Sequence, residues 1–305
     1  MATSPAGVAL GAREIDPSLR IAAVHLAVSE LERSTDFYTR ALGLIALSQD
    51  AQSATLGVVD GRPALVLSAL ADPAPAPPRS TGLFHVAWLH PSRAALAASA
   101  KRIIAAGWPL HGASDHGVSE ALYLGDPDGL GIEIYADRAR ELWPRPAGGA
   151  GVEMSTRALD LEDLLAQAPQ EPQSQMAPGS GIGHVHLKVS DVALARAYYR
   201  DVLGFAEQAT MPQAAFLAAG GYHHHIGLNS WQSAGAGPAP TDAPGLRQVS
   251  FELASADALA ALRARLAEHG DEGLLAERSP AEISLSDPDG NRLGFRVAGG
   301  EAPGG

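Results

Sequence analysis

Runs of alternating apolar and polar side chains give way along this chain to apolar positions three and four residues apart, and the change of period recurs four times. Residues 21–28 (IAAVHLAV) read as a strand and 29–42 as a helix, with Ser29 and Glu32 in capping-box spacing and Gly43 placed to end it. Strands are expected at 54–59 and 64–70, before a Pro-rich break at 71–81. A second unit opens with a strand at 83–89 (LFHVAWL) and continues with an amphipathic helix at 92–106, ended by Gly107. It closes on a hairpin, strands 120–124 and 132–135, joined across Asp126-Pro127-Asp128-Gly129, where Pro fixes φ and Gly accepts a positive one.

The second half of the chain repeats the first. Residues 184–205 (HVHLKVSDVALARAYYRDVLGF) match 23–44 (AVHLAVSELERSTDFYTRALGL), and 285–296 (LSDPDGNRLGFR) match 124–135 (LGDPDGLGIEIY), both at a shift of 161 positions. The expected organisation is α+β: an N-terminal arm at 1–19, two modules at 20–138, a linker at 139–181 with one short helical pattern at 159–167, two modules at 182–298 and a tail at 299–305.

Composition narrows the chemistry. A chain of 305 residues has room for about two domains, each able to bury a core. The net charge of -12 argues against nucleic acid or an anionic membrane surface as partner, since both demand basic patches. No apolar run reaches the ~20 residues of a membrane span. The first residues lack the basic start and apolar core of a secretion signal, so a cytoplasmic protein is expected. With no cysteine, histidines and carboxylates must carry any metal.

One carboxylate stands out. In the strand at 132–135, Ile132 and Ile134 alternate with Glu133 and Tyr135, so Glu133 either faces solvent from a half-buried sheet or binds a cation. The hairpin alone leaves both readings open, and a lone strand histidine is ordinarily a satisfied core or surface residue.

The wording of the modules (HVHLKVSD, AYYRDVLGF, DPDG) resembles the vicinal oxygen chelate superfamily, which includes glyoxalase I, bleomycin-resistance proteins and extradiol ring-cleaving dioxygenases. The resemblance covers nearly the whole chain apart from the arm and the linker. It implies four βαβββ modules forming two curved-sheet domains, each sheet able to cup one metal. Matched to the family pattern, the ligand positions hold His184 in module three and His85 and Glu133 in module two. Module one offers Ala23, and module four Gln248 and Gly294, none of which is a ligand. The site is therefore expected between modules two and three, with His25 and His186 as structural residues beside it.

Two imidazoles and one carboxylate are the set that non-haem Fe(II) oxygenases use, with positions left open for a chelating substrate and O2. The run GGYHHHIGLN (220–229) resembles the extradiol enzymes in which a histidine begins a similar strand and acts as acid/base, and its register selects His224. DHGVSEALYLGDPDG is similar to their H-G-[IV]-S segment and following tyrosine, which places His116 and Tyr123 at the substrate, although two residues are deleted between His116 and Glu133. The resemblance is closest to two-domain catechol 2,3-dioxygenase-like proteins. It implies cleavage of a small aromatic diol by O2 at Fe(II), with Mn(II) as the alternative ion, and leaves room for a homo-oligomer. A non-redox isomerase or lyase of the glyoxalase type, using a fourth ligand from the His223, His224, His225 strand, is the nearest alternative. A ligand-binding resistance-type protein without turnover is the third.

Overall fold

Each module folds for the same reason: its first strand carries apolar side chains toward a helix that must cover them, and its last strands return to shield the other edge. A computed structural model describes residues 14–148, 151–270 and 281–299. Most of the N-terminal arm and nearly all of the tail lie outside the described residues.

Module one comprises β1 (Arg20–Val28), α1 (Leu31–Asp36), β2 (Ile45–Gln49), β3 (Ser53–Gly57) and β4 (Pro63–Ala69). Module two comprises β5 (Gly82–His90), α2 (Arg93–Ala105), β6 (Gly112–Asp115), β7 (Ser119–Gly125) and β8 (Gly131–Asp137). The connecting segment holds the short β9 (Arg157–Ala158) and α3 (Leu161–Ala166). Module three follows with β10 (Gly181–Lys188), α4 (Val192–Ala197), β11 (Ala206–Met211), β12 (Ala214–Ala218) and β13 (Ile226–Asn229). Module four has β14 (Gly245–Leu253), α5 (Ala256–Glu268), β15 (Glu282–Ser286) and β16 (Arg292–Val297). β2 and β6 escape the sequence reading because they are short, and β2 is largely exposed and so carries little apolar alternation.

The strands form two sheets, and the two modules within each half of the repeat do not share one. The order β15-β16-β14-β1-β4-β3-β2 joins modules one and four; β11-β12-β13-β10-β5-β8-β7-β6-β9 joins modules two and three. Segment 139–181 connects two modules of the same sheet. It is packed in place: β9 pairs with β6, α3 lies on α2, and Trp143 and Val152 are buried with Tyr222 of module three.

The DPDG turns tie the sheets together. Tyr38 of module one donates its hydroxyl hydrogen to Asp126 at 3.0 Å, and Tyr199 of module three does the same to Asp287 at 3.0 Å. The Ser29 and Ser190 amides donate to Asp128 and Asp289 at 2.8 Å each. The capping-box expectation for Ser29 is therefore corrected: the N-cap is Glu30, with no side-chain cap bond, because the Ser29 N–H is already given to Asp128. In both helices a π-helical turn, Phe37–Ala41 or Tyr198–Val202, follows the α-helical segment and carries the tyrosine.

Loss of one such clasp has a defined cost. Tyr199→Phe removes a hydrogen bond to a buried carboxylate that keeps its Asn291 partners, so denaturant unfolding should show a loss of roughly 1.5–3 kcal/mol. An unchanged midpoint would show that the clasp is not a stabilising contact.

Candidate metal centre

Register places the site. In the central strands, His184 of β10 pairs with Ala87 of β5, Ala87 with Glu133 of β8, and Glu133 with Tyr123 of β7. These four residues form one row across the sheet and face the same side. His85, two residues from Ala87 on β5, stands over the same face. Adjacent strands are about 4.8 Å apart, so His184 and Glu133 must reach toward each other over Ala87. Only a small residue there leaves them room, and Ala87 is fully buried in that role.

The three side chains meet. His85 Nε2 lies 3.0 Å from Glu133 Oε2, His184 Nε2 lies 3.3 Å from the same oxygen, and the two imidazole nitrogens are 3.4 Å apart. Ligand atoms about 2.1 Å from one ion and at right angles to each other lie about 3 Å apart, so this spacing suits one face of an octahedral ion. All three residues are buried. Burial works to raise the pKa of the Glu133 carboxyl, but the His184 and His85 imidazoles prevail and hold it well below its ordinary value. Burial pushes His184 down to about 4, so at neutral pH it presents a neutral nitrogen beside the anionic Glu133 oxygen, as binding of a divalent cation requires.

Further polar side chains surround the triad. The His224 ring stands 4.0 Å, centroid to centroid, from that of His184. Its Nδ1 is 2.8 Å from His223 Nδ1, and His223 Nε2 is 2.9 Å from Asp137 Oδ1. On the other flank, His116 Nδ1 is 2.8 Å from the Ser155 carbonyl oxygen, which can only accept. His116 Nε2 is 2.6 Å from the Tyr123 hydroxyl. Burial, and then the charge of Glu133, push the Tyr123 hydroxyl above its ordinary pKa and keep it protonated. His85 and Tyr123 also line a cleft of about 770 Å³ between modules two and four, within the range of small-molecule sites.

The family model of the Glyoxalase/Bleomycin resistance protein/Dioxygenase superfamily matches residues 20–134 and 181–295. The chain belongs to this superfamily. It is 42% identical over 267 residues to a catechol-2,3-dioxygenase of Bacillus subtilis (strain 168), covering 86% of this chain and 92% of the relative. Among solved structures it is similar to a candidate dioxygenase of Bacillus subtilis (TM-score 0.62, 14% identity, 94% of this chain and 87% of that one). It is also similar to glyoxalase I of Zea mays (TM-score 0.53, 18% identity, 92% of each). At these identities the two structures show the fold alone.

This superfamily member carries a second, equivalent row that is chemically blank. In the sheet of modules one and four, Ala23 pairs with Ser250 and Ser250 with Gly294, in the places of His184, Ala87 and Glu133. Gln248, in the place of His85, donates to Ser250 Oγ at 3.2 Å and lies against Gly294, where a side chain would need room. His25 stands beside this row and meets Ser68 Oγ at 3.0 Å. His186, its repeat partner, lies above Gly227, where any side chain would strike the ring, and packs among Phe84, Phe216 and Trp231. Neither histidine belongs to the group of converging ligand atoms among the described residues.

The His223–His225 run differs from expectation in one respect. β13 begins at Ile226, so His223 and His224 sit in the bend that precedes the strand. Sequence reasoning missed Asp137, although it continues the Glu133, Tyr135 alternation on the same face. It also missed Tyr135 and Tyr222, whose hydroxyls meet at 2.7 Å behind His223. No helix among the described residues is long and apolar enough to cross a membrane.

Proposed function

We propose that this chain is a cytoplasmic extradiol dioxygenase that opens an aromatic diol with O2, using Fe(II), or Mn(II), held by His85, His184 and Glu133. The observation that carries the reading is the convergence of these three buried ligand atoms within 3.4 Å, in a chain 42% identical to a catechol-2,3-dioxygenase. When bound, the metal supplies Lewis acidity toward the two ring hydroxyls and the redox capacity to use O2.

The protein's own groups then orient the ring and handle protons. Ser155 accepts from His116 Nδ1, which in a neutral ring leaves Nε2 to accept from the Tyr123 hydroxyl. The Tyr123 oxygen keeps its lone pairs for a substrate hydroxyl beside Glu133, and this contact fixes the ring in place. His224 lies on the opposite flank against His184, where its Nε2 can take and return a proton of the diol. The cleft beside His85 and Tyr123 has room for ring substituents.

A glyoxalase-type reaction would be favoured by a fourth protein ligand, but the group of converging ligand atoms among the described residues comprises three residues and includes neither His224 nor His225. The test is anaerobic loading with Fe(II), followed by catechol and O2. The expected result is a yellow ring-opened product with stoichiometric O2 uptake. A metal-loaded protein that consumes no O2 with any of several catechols would overturn the reading.

A further inference from the structure

The buried polar chain behind the triad is not needed to hold a metal, and it runs in one direction. Asp137 Oδ1 is 2.9 Å from His223 Nε2, and His223 Nδ1 is 2.8 Å from His224 Nδ1. The far nitrogen of His224 has no hydrogen-bond partner among the described residues. We propose that Asp137 and His223 are positioning residues which clamp His224 through its Nδ1 and so present its Nε2 to the substrate.

A carboxylate oxygen only accepts, so the hydrogen between Asp137 and His223 belongs to His223 Nε2. With a single hydrogen on the His223 ring, Nδ1 is then a lone pair, and the short contact to His224 requires His224 to donate from Nδ1. The remaining nitrogen of a neutral His224, Nε2, is left without hydrogen and able to accept one. The clamp therefore selects a tautomer as well as an orientation, which is what an imidazole needs in order to begin as a base.

Packing makes the selection rigid. His223 is fully buried between the rings of Tyr222, at 4.1 Å, and Trp143, at 5.3 Å, and cannot turn away from Asp137 without displacing them. Trp143 is itself fixed by its indole N–H, which donates to the Arg138 carbonyl at 2.8 Å. The Asp137 side chain is the one member at the surface, 24% exposed, so it can be changed without opening the core. Segment 139–181 thereby contributes a wall of the site: Trp143 holds His223 on one flank, and Ser155 holds His116 on the other.

This inference rests on the dioxygenase reading for its kinetic consequence but not for its structural one. The test uses the full chain with Asp137→Leu and Asp137→Asn. Asp137→Leu should lower kcat about 10–100-fold, with KM for catechol and bound metal unchanged. Asp137→Asn, whose amide oxygen still accepts from His223, should recover most of that loss. Independently, ring-nitrogen NMR of the Zn(II)-loaded chain, assigned with His224→Gln, should show His224 protonated at Nδ1, and a mixture of tautomers in Asp137→Leu. An unchanged kcat in Asp137→Leu, a parallel loss of metal, or an unchanged His224 tautomer would each overturn the clamp. If the unaltered chain turns over no diol, the dioxygenase reading alone fails, and the NMR result decides the clamp.

Discussion

Glu133→Ala is expected to abolish both metal retention and ring cleavage while leaving the fold intact. The carboxylate is the only anion among the three converging ligands, and both imidazole nitrogens lie within 3.3 Å of it. Without it two imidazoles remain, 3.4 Å apart, with no counter-charge for a dication. Affinity should fall by more than the ~10–100-fold that loss of a merely supporting residue costs. The fold should survive, because β8 keeps its backbone pairing with β5 and β7 when the Glu133 side chain is removed. The unaltered chain should bind one ion, since Ala23, Gln248 and Gly294 provide no second site. At one hundred times Kd, that ion should stabilise it by about 2.7 kcal/mol. Equilibrium dialysis and thermal unfolding with and without Fe(II) check this. A Glu133→Ala protein that keeps one equivalent of metal and its metal-dependent thermal shift would remove Glu133 from the ligand set.

Acid should unfold the metal-free protein well above the ordinary carboxylate range. Burial pushes His90 and His225 down to about 3 and His184 to about 4, and holds His186 and His224 well below their usual value. For a histidine whose folded pKa is depressed, the unfolded chain binds protons first as the pH falls through about 6.5. The stability these residues contribute is thus complete above about pH 6.5 and is lost progressively toward their folded values. At pH 5.5 each neutral buried histidine costs about 1.4 kcal/mol relative to the protonated unfolded chain, so His90 and His225 alone account for about 3 kcal/mol. That is a large share of the 5–15 kcal/mol typical of a domain. Asp126 works the other way: burial raises it to about 6, and its protonation recovers part of the loss. Urea midpoints of the metal-free protein should fall clearly between pH 7.5 and 5.5. A midpoint that does not move would show that these histidines are not held neutral.

Most of the candidate site was legible because strands write their geometry into the sequence. Two-residue alternation put Glu133 and Tyr135 on one face, and the repeat at a shift of 161 positions set His184 against Ala23 and Glu133 against Gly294, which separated a copy with ligand-type residues from one without. The same alternation offered Asp137, but a lone acidic residue at a strand end has too many ordinary explanations to be singled out. The partnership of His223 with Asp137, and of Ser155 with His116, joins residues 86 and 39 positions apart, and no local pattern encodes such distances.

The sequence by itself determined the modules, their helices and turns, and the residue types available for a metal, because propensity, alternation and the DPDG turn are local properties. Tertiary structure decided where the ligand atoms meet. The pairing of β5 with β10 brings His85 and His184 from opposite halves of the repeat to one face, and the pairing of β5 with β8 adds Glu133 across Ala87. The physical reason is register: an imidazole, a methyl group and a carboxylate in one row make a pocket of ionic size only when three strands align to the residue, and that alignment depends on hydrogen-bond ladders between segments about a hundred positions apart.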